Sequence, residues 1–179
     1  MAAQQTLLQA SIGVTSPLAR ALAILGGSLV IALGAQVSVP MLPVPMTLQT
    51  LAVVMVGLTA GSRLGAAGLP VFSGGAAGLA YMAGPTAGFL FGFVALAWAA
   101  GRLAETGIAR SAVGTFLGVA AISALLYGPG VLWLTAVTPL DLSGALARGM
   151  VPFLLGDAVK AAIAAVVVAG GWSVLRNRR

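Results

Sequence analysis

The chain contains no cysteine and no histidine. Without cysteine, disulfides, thiolate nucleophiles and cysteine metal sites are excluded. Without histidine there is no Ser-His triad, no HExxH zinc site and no histidine proton relay. Charge is almost as scarce: only 7% of residues are Asp, Glu, Lys or Arg, against about 25% in a soluble domain. So few charges do not cover a water-facing surface. Lysine occurs once, at Lys160, outside any GxxxxGK[ST] loop, so this chain does not cradle ATP phosphates by the Walker route. The N-terminal region has no basic n-region followed by a separate apolar h-region, and a cleaved signal peptide is not expected.

What is present is apolar. Hydrophobic residues make up 60% of the chain, and the mean hydropathy is +1.09. This composition describes an integral membrane protein, with residues 1–179 forming one domain. Abundant glycine and alanine favour close approach of helices where lipid removes the usual hydrophobic drive between them. The net charge of +6 is not a nucleic-acid footprint, because no basic run carries interleaved aromatics. The positive residues sit between hydrophobic segments and read as topology signals.

Hydrophobic segments fall near residues 18–39, 47–60, 64–83, 86–101, 112–137 and 151–175. A span takes about 20 apolar residues. The second and third segments are the weakest, divided by Arg63, and the third contains Pro70 and the Gly74-Gly75 pair. The positive-inside rule arbitrates between counts. With six crossings and a cytoplasmic N-terminus, Arg20, Arg63, Arg102, Arg110, Arg176, Arg178 and Arg179 all fall inside, and only Arg148 falls outside. Removing the third crossing separates Arg63 from Arg102 and Arg110. The expected fold is therefore an all-α membrane protein, a compact bundle of six transmembrane helices with both termini cytoplasmic. Gly128-Pro129-Gly130 is expected to end the regular helix of the fifth segment early. Glu105, between Arg102 and Arg110, reads as a solvated loop charge.

The last segment is interrupted by two charges, Asp157 and Lys160. Residues three apart share a helix face, so carboxylate and ammonium can meet. A charge near the bilayer centre costs roughly 2.5–3.5 kcal/mol on insertion scales. Pro152 suits a first helical turn, which sets Lys160 about 12 Å further along the axis. The pair is the leading candidate for a polar ligand site; the plainer reading is an ion pair that locks helices together.

Two other segments join it. Pro40, Pro43 and Pro45 favour a stiff extended loop, after which Thr47 is placed to cap the second helix and Gln49 lies in its first turn. This is either a rigid lid that donates Gln49 to a ligand or a tight interhelical turn. Leu69-Pro70-Val71-Phe72-Ser73-Gly74-Gly75 and Gly84-Pro85-Thr86-Ala87-Gly88 bracket a short stretch holding Tyr81. Phe72 or Tyr81 would stack on a flat ring while glycine backbone approaches the ligand, or both would sit in the interfacial aromatic belt. In the first span Ala19, Ala23 and Gly27 form a small-xxx-small stripe, which serves packing within the bundle or docking of a partner helix.

Taken together, Leu42-Pro43-Val44-Pro45-Met46-Thr47-Leu48-Gln49-Thr50, Gly68-Leu69-Pro70-Val71-Phe72, Gly84-Pro85-Thr86 and Pro152-Phe153 with Gly156-Asp157-Ala158-Val159-Lys160 resemble the BioY family. These are the biotin-specific S components of energy-coupling-factor (ECF) vitamin transporters. Two departures stand out. Family members usually carry about another half span before the Gly-Leu-Pro-Val-Phe motif, so the third crossing here is expected to be short. Ala87 replaces a glycine in the family's Gly-Pro-Thr-Gly-Gly.

The resemblance implies high-affinity capture of biotin from the outer side of a bacterial or archaeal inner membrane, with no enzymatic activity and no cofactor. Asp157 would accept from a ureido N–H while Lys160 donates to the ureido carbonyl, or Lys160 would pair with the valerate carboxylate. Gln49, Thr47, Phe72, Tyr81, Gly84 and Thr86 would complete the pocket. The implied partners are a transmembrane coupling protein, docked on Ala19, Ala23 and Gly27, and two cytoplasmic ATPases; membrane lipid surrounds the bundle and no nucleic acid is involved. Two rival readings are a proton-coupled secondary carrier of a small carboxylate, with Asp157 titrating, and a structural membrane subunit with the pair as glue.

Overall fold

A computed structural model describes residues 5–66 and 83–177 of the chain. Phe72, Tyr81 and nearly all of the expected third span lie outside the described residues.

The chain opens with a short helix, α1 (Leu7–Ile12), started by a capping box between Thr6 and Gln9. The first long helix, α2 (Pro17–Gln36), begins with Ser16 accepting the Ala19 N–H at 3.1 Å and with proline in its first turn. Leu18, Leu22, Leu25, Leu29 and Leu33 are exposed along it, whereas Ser28, Ile31 and Ala35 face inward. That is the pattern of a helix with a wide lipid-facing surface and one narrow packed face.

The proline-rich loop is closed by a small antiparallel hairpin. Strands β1 (Ser38–Val39) and β2 (Met46–Thr47) pair Ser38 with Thr47 and Val39 with Met46. The first span therefore ends sooner than its apolar run. Residues 38 and 39 satisfy their backbone groups across the hairpin instead of along the helix.

Helix α3 (Gln49–Ala60) is buried on most of its surface and ends at Gly61, whose φ of 90° turns the chain into α4 (Ser62–Ala66). Helix α5 (Ala87–Glu105) lies against this turn. At Gly101 a Cβ would overlap the backbone of Gly61 and Ser62, so only glycine lets the two segments pack this closely. A 3-10 turn (Ile108–Arg110) leads to α6 (Ala112–Val137), which Ser111 caps through the Gly114 N–H. A short helix, α7 (Leu142–Gly149), capped by Asp141, precedes the last and longest helix, α8 (Val151–Asn177).

Among the described residues, α2, α5, α6 and the Leu142–Asn177 stretch are long and apolar enough to cross a membrane, while α3 is shorter. The bounds of α6 coincide with the expected fifth segment. Its continuity corrects one expectation, because the helix runs through Gly128-Pro129-Gly130 without a break. Pro129 removes a single backbone donor. Unwinding in lipid would leave several backbone groups unpaired, a far larger cost. Packing holds the stretch as well: the Phe89 ring occupies the space a Gly130 side chain would need, and Trp133 Nε1 donates to the Gly84 carbonyl at 3.0 Å.

The core runs through the middle of the bundle, and among the described residues Leu58, Leu134, Val54, Val168 and Thr115 are the largest fully buried side chains. One end of the bundle gathers α1, the Gly61 turn, the close of α5, the 3-10 turn and the close of α8. The hairpin, the start of α5 and the start of α8 lie at the other.

Candidate functional site

Asp157 and Lys160 share one face of α8, as their spacing requires, and the ammonium donates to Asp157 Oδ1 at 2.9 Å. Both side chains are nearly sequestered, 12% and 9% exposed. A buried pair of this kind needs its remaining hydrogen-bonding capacity satisfied. Tyr127 supplies part of that from α6, donating its hydroxyl to Asp157 Oδ2 at 2.7 Å. The carboxylate is thus held at both oxygens, by two helices.

The three side chains line a cavity of about 40 Å³. Val44 and Pro45 of the hairpin loop close one side, with Thr47 and Thr50 beside them. Phe89 and Phe93 from α5 and Phe153 from the first turn of α8 form apolar walls. A smaller neighbouring cavity shares Thr50, Asp157 and Lys160 and reaches Ser123. A polar cluster between aromatic and aliphatic walls is the usual make-up of a small-molecule pocket. Among the described residues, no three Asp or Glu side chains converge to hold a metal ion.

The residues singled out from sequence are distributed unevenly. Thr47, Asp157 and Lys160 come together at the cavity. Thr47 Oγ1 also accepts the Gln49 N–H at 3.2 Å, one residue outside the helix, whose first flanking position is Leu48. Gln49 is buried at the start of α3 but is not among the described residues lining the cavity. Gly84 and Thr86 start α5, where the Gly84 carbonyl accepts from Ala87 and Trp133 and the Thr86 carbonyl accepts from Phe89 and Leu90. Ala19, Ala23 and Gly27 are half-buried on α2, with Gly27 against Val56 of α3.

Tyr127, Phe89 and Phe93 were not anticipated. For Tyr127 a signal existed: a phenol inside an apolar span must find an acceptor, and Asp157 is the one carboxylate inside the apolar segments expected from sequence. The two phenylalanines had none, being ordinary residues of an apolar helix.

Glu105 corrects another expectation. It is no solvated loop charge: its side chain is 16% exposed and its Oε1 accepts both the Ser62 N–H at 2.8 Å and the Ser62 hydroxyl at 2.7 Å. Arg102 donates to Oε2 at 3.1 Å. Both carboxylate oxygens are thus occupied, one by Ser62 and the other by Arg102. The partner lies in a turn 43 residues away, which no local pattern reports.

Comparison with known proteins gives a consistent result. The profile of the BioY family matches residues 6–177. The biotin transporter BioY of Rhizobium etli is 36% identical over 160 residues, covering 78% of this chain and 85% of that one. The biotin transporter BioY of Thermotoga maritima is 35% identical over 150 residues, covering 76% and 86%. The crystal structure of the S-component for biotin from an ECF-type ABC transporter superposes with a TM-score of 0.69 at 26% identity, covering 84% of this chain and 88% of that one.

Proposed function

Because this chain belongs to the BioY family, we propose that it is the membrane-embedded biotin-binding S subunit of an ECF-type transporter. The observation that carries the reading is the Tyr127–Asp157–Lys160 cluster, held among aromatic side chains at one end of the bundle.

Biotin presents a planar ureido group with two N–H donors and one carbonyl acceptor. Each Asp157 oxygen keeps a lone pair beyond those used by Lys160 and Tyr127, and it accepts a ureido N–H. Lys160 carries three donors and spends one on Asp157, so another reaches the ureido carbonyl. Phe89, Phe93 and Phe153 cover the thiophane ring. Thr47 stands at the polar rim, and Gln49, Phe72, Tyr81, Gly84 and Thr86 complete the shell. The cavity has room for a few waters rather than a bicyclic ring system. Binding therefore needs the Val44–Pro45 segment to swing outward and then close over the ligand, excluding water.

In this reading six helices cross the inner membrane of a bacterial or archaeal cell, the third short, with both termini cytoplasmic. The site opens to the outer side. A transmembrane coupling protein approaches α2 at Ala19, Ala23 and Gly27, and two cytoplasmic ATPases supply the energy. Among the described residues lining the cavity, Asp157 has no second carboxylate beside it to form an acid pair.

The test is tritiated biotin binding to the purified chain in detergent, beside Lys160→Ala and Asp157→Asn variants of matched thermal stability. Saturable binding that both variants lose supports the site. A well-folded wild type that binds no biotin would sink the proposal.

A further inference from the structure

A second polar pocket lies at the opposite end of α8, roughly 22 Å along the helix axis from Asp157. It has a volume of about 300 Å³ and sits between α1, the 3-10 turn and the last turns of α8. Arg110, Trp172, Ser173 and Arg176 give it polar lining, and Ala169 and Leu175 give it apolar lining. The Arg110 guanidinium stacks 4.8 Å above the Trp172 ring.

Two observations point to an anion. Trp172 Nε1 is buried and has no hydrogen-bond partner among the described residues. An indole nitrogen only donates, so this position calls for an acceptor. The second is charge. Neither ion pair among the described residues uses Arg110 or Arg176. The chain has only three acidic side chains, and all are engaged elsewhere: Asp157 by Lys160 and Tyr127, Glu105 by Ser62 and Arg102, Asp141 as the cap of α7. The pocket's positive charge is therefore not balanced by any of the chain's own carboxylate side chains.

Its position favours lipid as the source of the anion. Arg110 ends the 3-10 turn just before the Ser111 cap of α6, and Arg176 lies in the last turn of α8; both helices are long and apolar, which sets the pocket at a membrane face. We propose that it binds the phosphate group of an anionic lipid headgroup. Arg110 and Arg176 pair with phosphate oxygens, the Trp172 N–H donates to one of them, and Ala169 and Leu175 meet the start of the acyl region. Inorganic phosphate offers the same oxygens without the acyl chains, so it is the competing source.

The test uses the full chain in phosphatidylcholine nanodiscs, titrated with phosphatidylglycerol, with retained lipid counted by native mass spectrometry. A parallel arm titrates inorganic phosphate. The wild type should retain phosphatidylglycerol over phosphatidylcholine, and Trp172→Phe and Arg110→Gln should each weaken that retention about tenfold, the scale of one charge-assisted hydrogen bond. Trp172→Phe keeps a ring beneath Arg110, so lipid lost from a monodisperse variant reports the missing donor. If Arg110→Gln is not monodisperse, Arg176→Gln reads the same charge. Equal retention of the two lipids, or retention unchanged in the variants, would overturn the site. Displacement of phosphatidylglycerol by inorganic phosphate would overturn the lipid assignment.

Discussion

Tyr127 on α6 donates to Asp157 on α8 across 2.7 Å, on the carboxylate oxygen that Lys160 leaves free. The contact ties two spans together at the cavity and sets the direction in which Asp157 presents its remaining lone pairs. Tyr127→Phe keeps the ring and deletes only the donor. A hydrogen bond to a charged group is worth about 1.5–3 kcal/mol, so biotin affinity should fall about tenfold or more, read by equilibrium binding of the tritiated ligand. Unchanged affinity would mean that Asp157 is oriented by α8 alone.

Lys160→Met strands a buried carboxylate, and removing one partner of a buried pair costs about 3–5 kcal/mol. Asp157→Asn combined with Lys160→Met leaves no unpaired charge. Thermal unfolding in detergent should find the double variant more stable than Lys160→Met alone, although neither binds biotin. Ligand binding by the double variant would reduce the pair to helix glue.

Helix contact should make glycine positions unequal. A methyl group at Gly101 meets the rigid backbone of Gly61 and Ser62, whereas one at Gly26 meets nothing within 4 Å. Gly101→Ala should destabilise by about 1–3 kcal/mol or more, the cost of overpacking. Gly26→Ala should be neutral or stabilising by up to about 1 kcal/mol from helix propensity. Unfolding midpoints of the two variants, measured side by side, check the contrast.

Asp141 makes stability depend on pH. Hydrogen bonds from Gly144 and Ser143 hold its folded pKa below the ordinary 3.8, so its contribution is complete above that value. The contribution fades as pH falls towards the depressed folded value and is gone below it. The stability difference between wild type and Asp141→Asn should therefore shrink on acidification below about pH 3.8 and stay flat above it. A difference that is constant down through the acid range would show that Asp141 does not cap α7 as a carboxylate.

Local patterns carried much of the architecture. The apolar runs located α2, α5, α6 and α8 because a bilayer requires length and hydropathy, both local properties. The spacing of Asp157 and Lys160 was sufficient to pair them, since helical geometry alone brings residues three apart together. Where the sequence misled, the competing force came from elsewhere in the chain. Gly128-Pro129-Gly130 looks like a break, but lipid penalises unwinding and Phe89 packs on Gly130. Glu105 looks solvated, but a turn 43 residues earlier brings Ser62 to it.

Residue order alone was enough to place this protein in a membrane, to locate the four long helices of the described residues and to pair the two charges on the last of them. Each of these follows from composition, periodicity or the fixed geometry of one helix. Packing in three dimensions settled the rest: which face α6 turns towards α8, which aromatic rings wall the cavity and which partner takes Glu105. Those outcomes depend on how each helix is rotated about its axis. In lipid that rotation is set by close packing of small residues between helices rather than by an apolar stripe legible along any one of them.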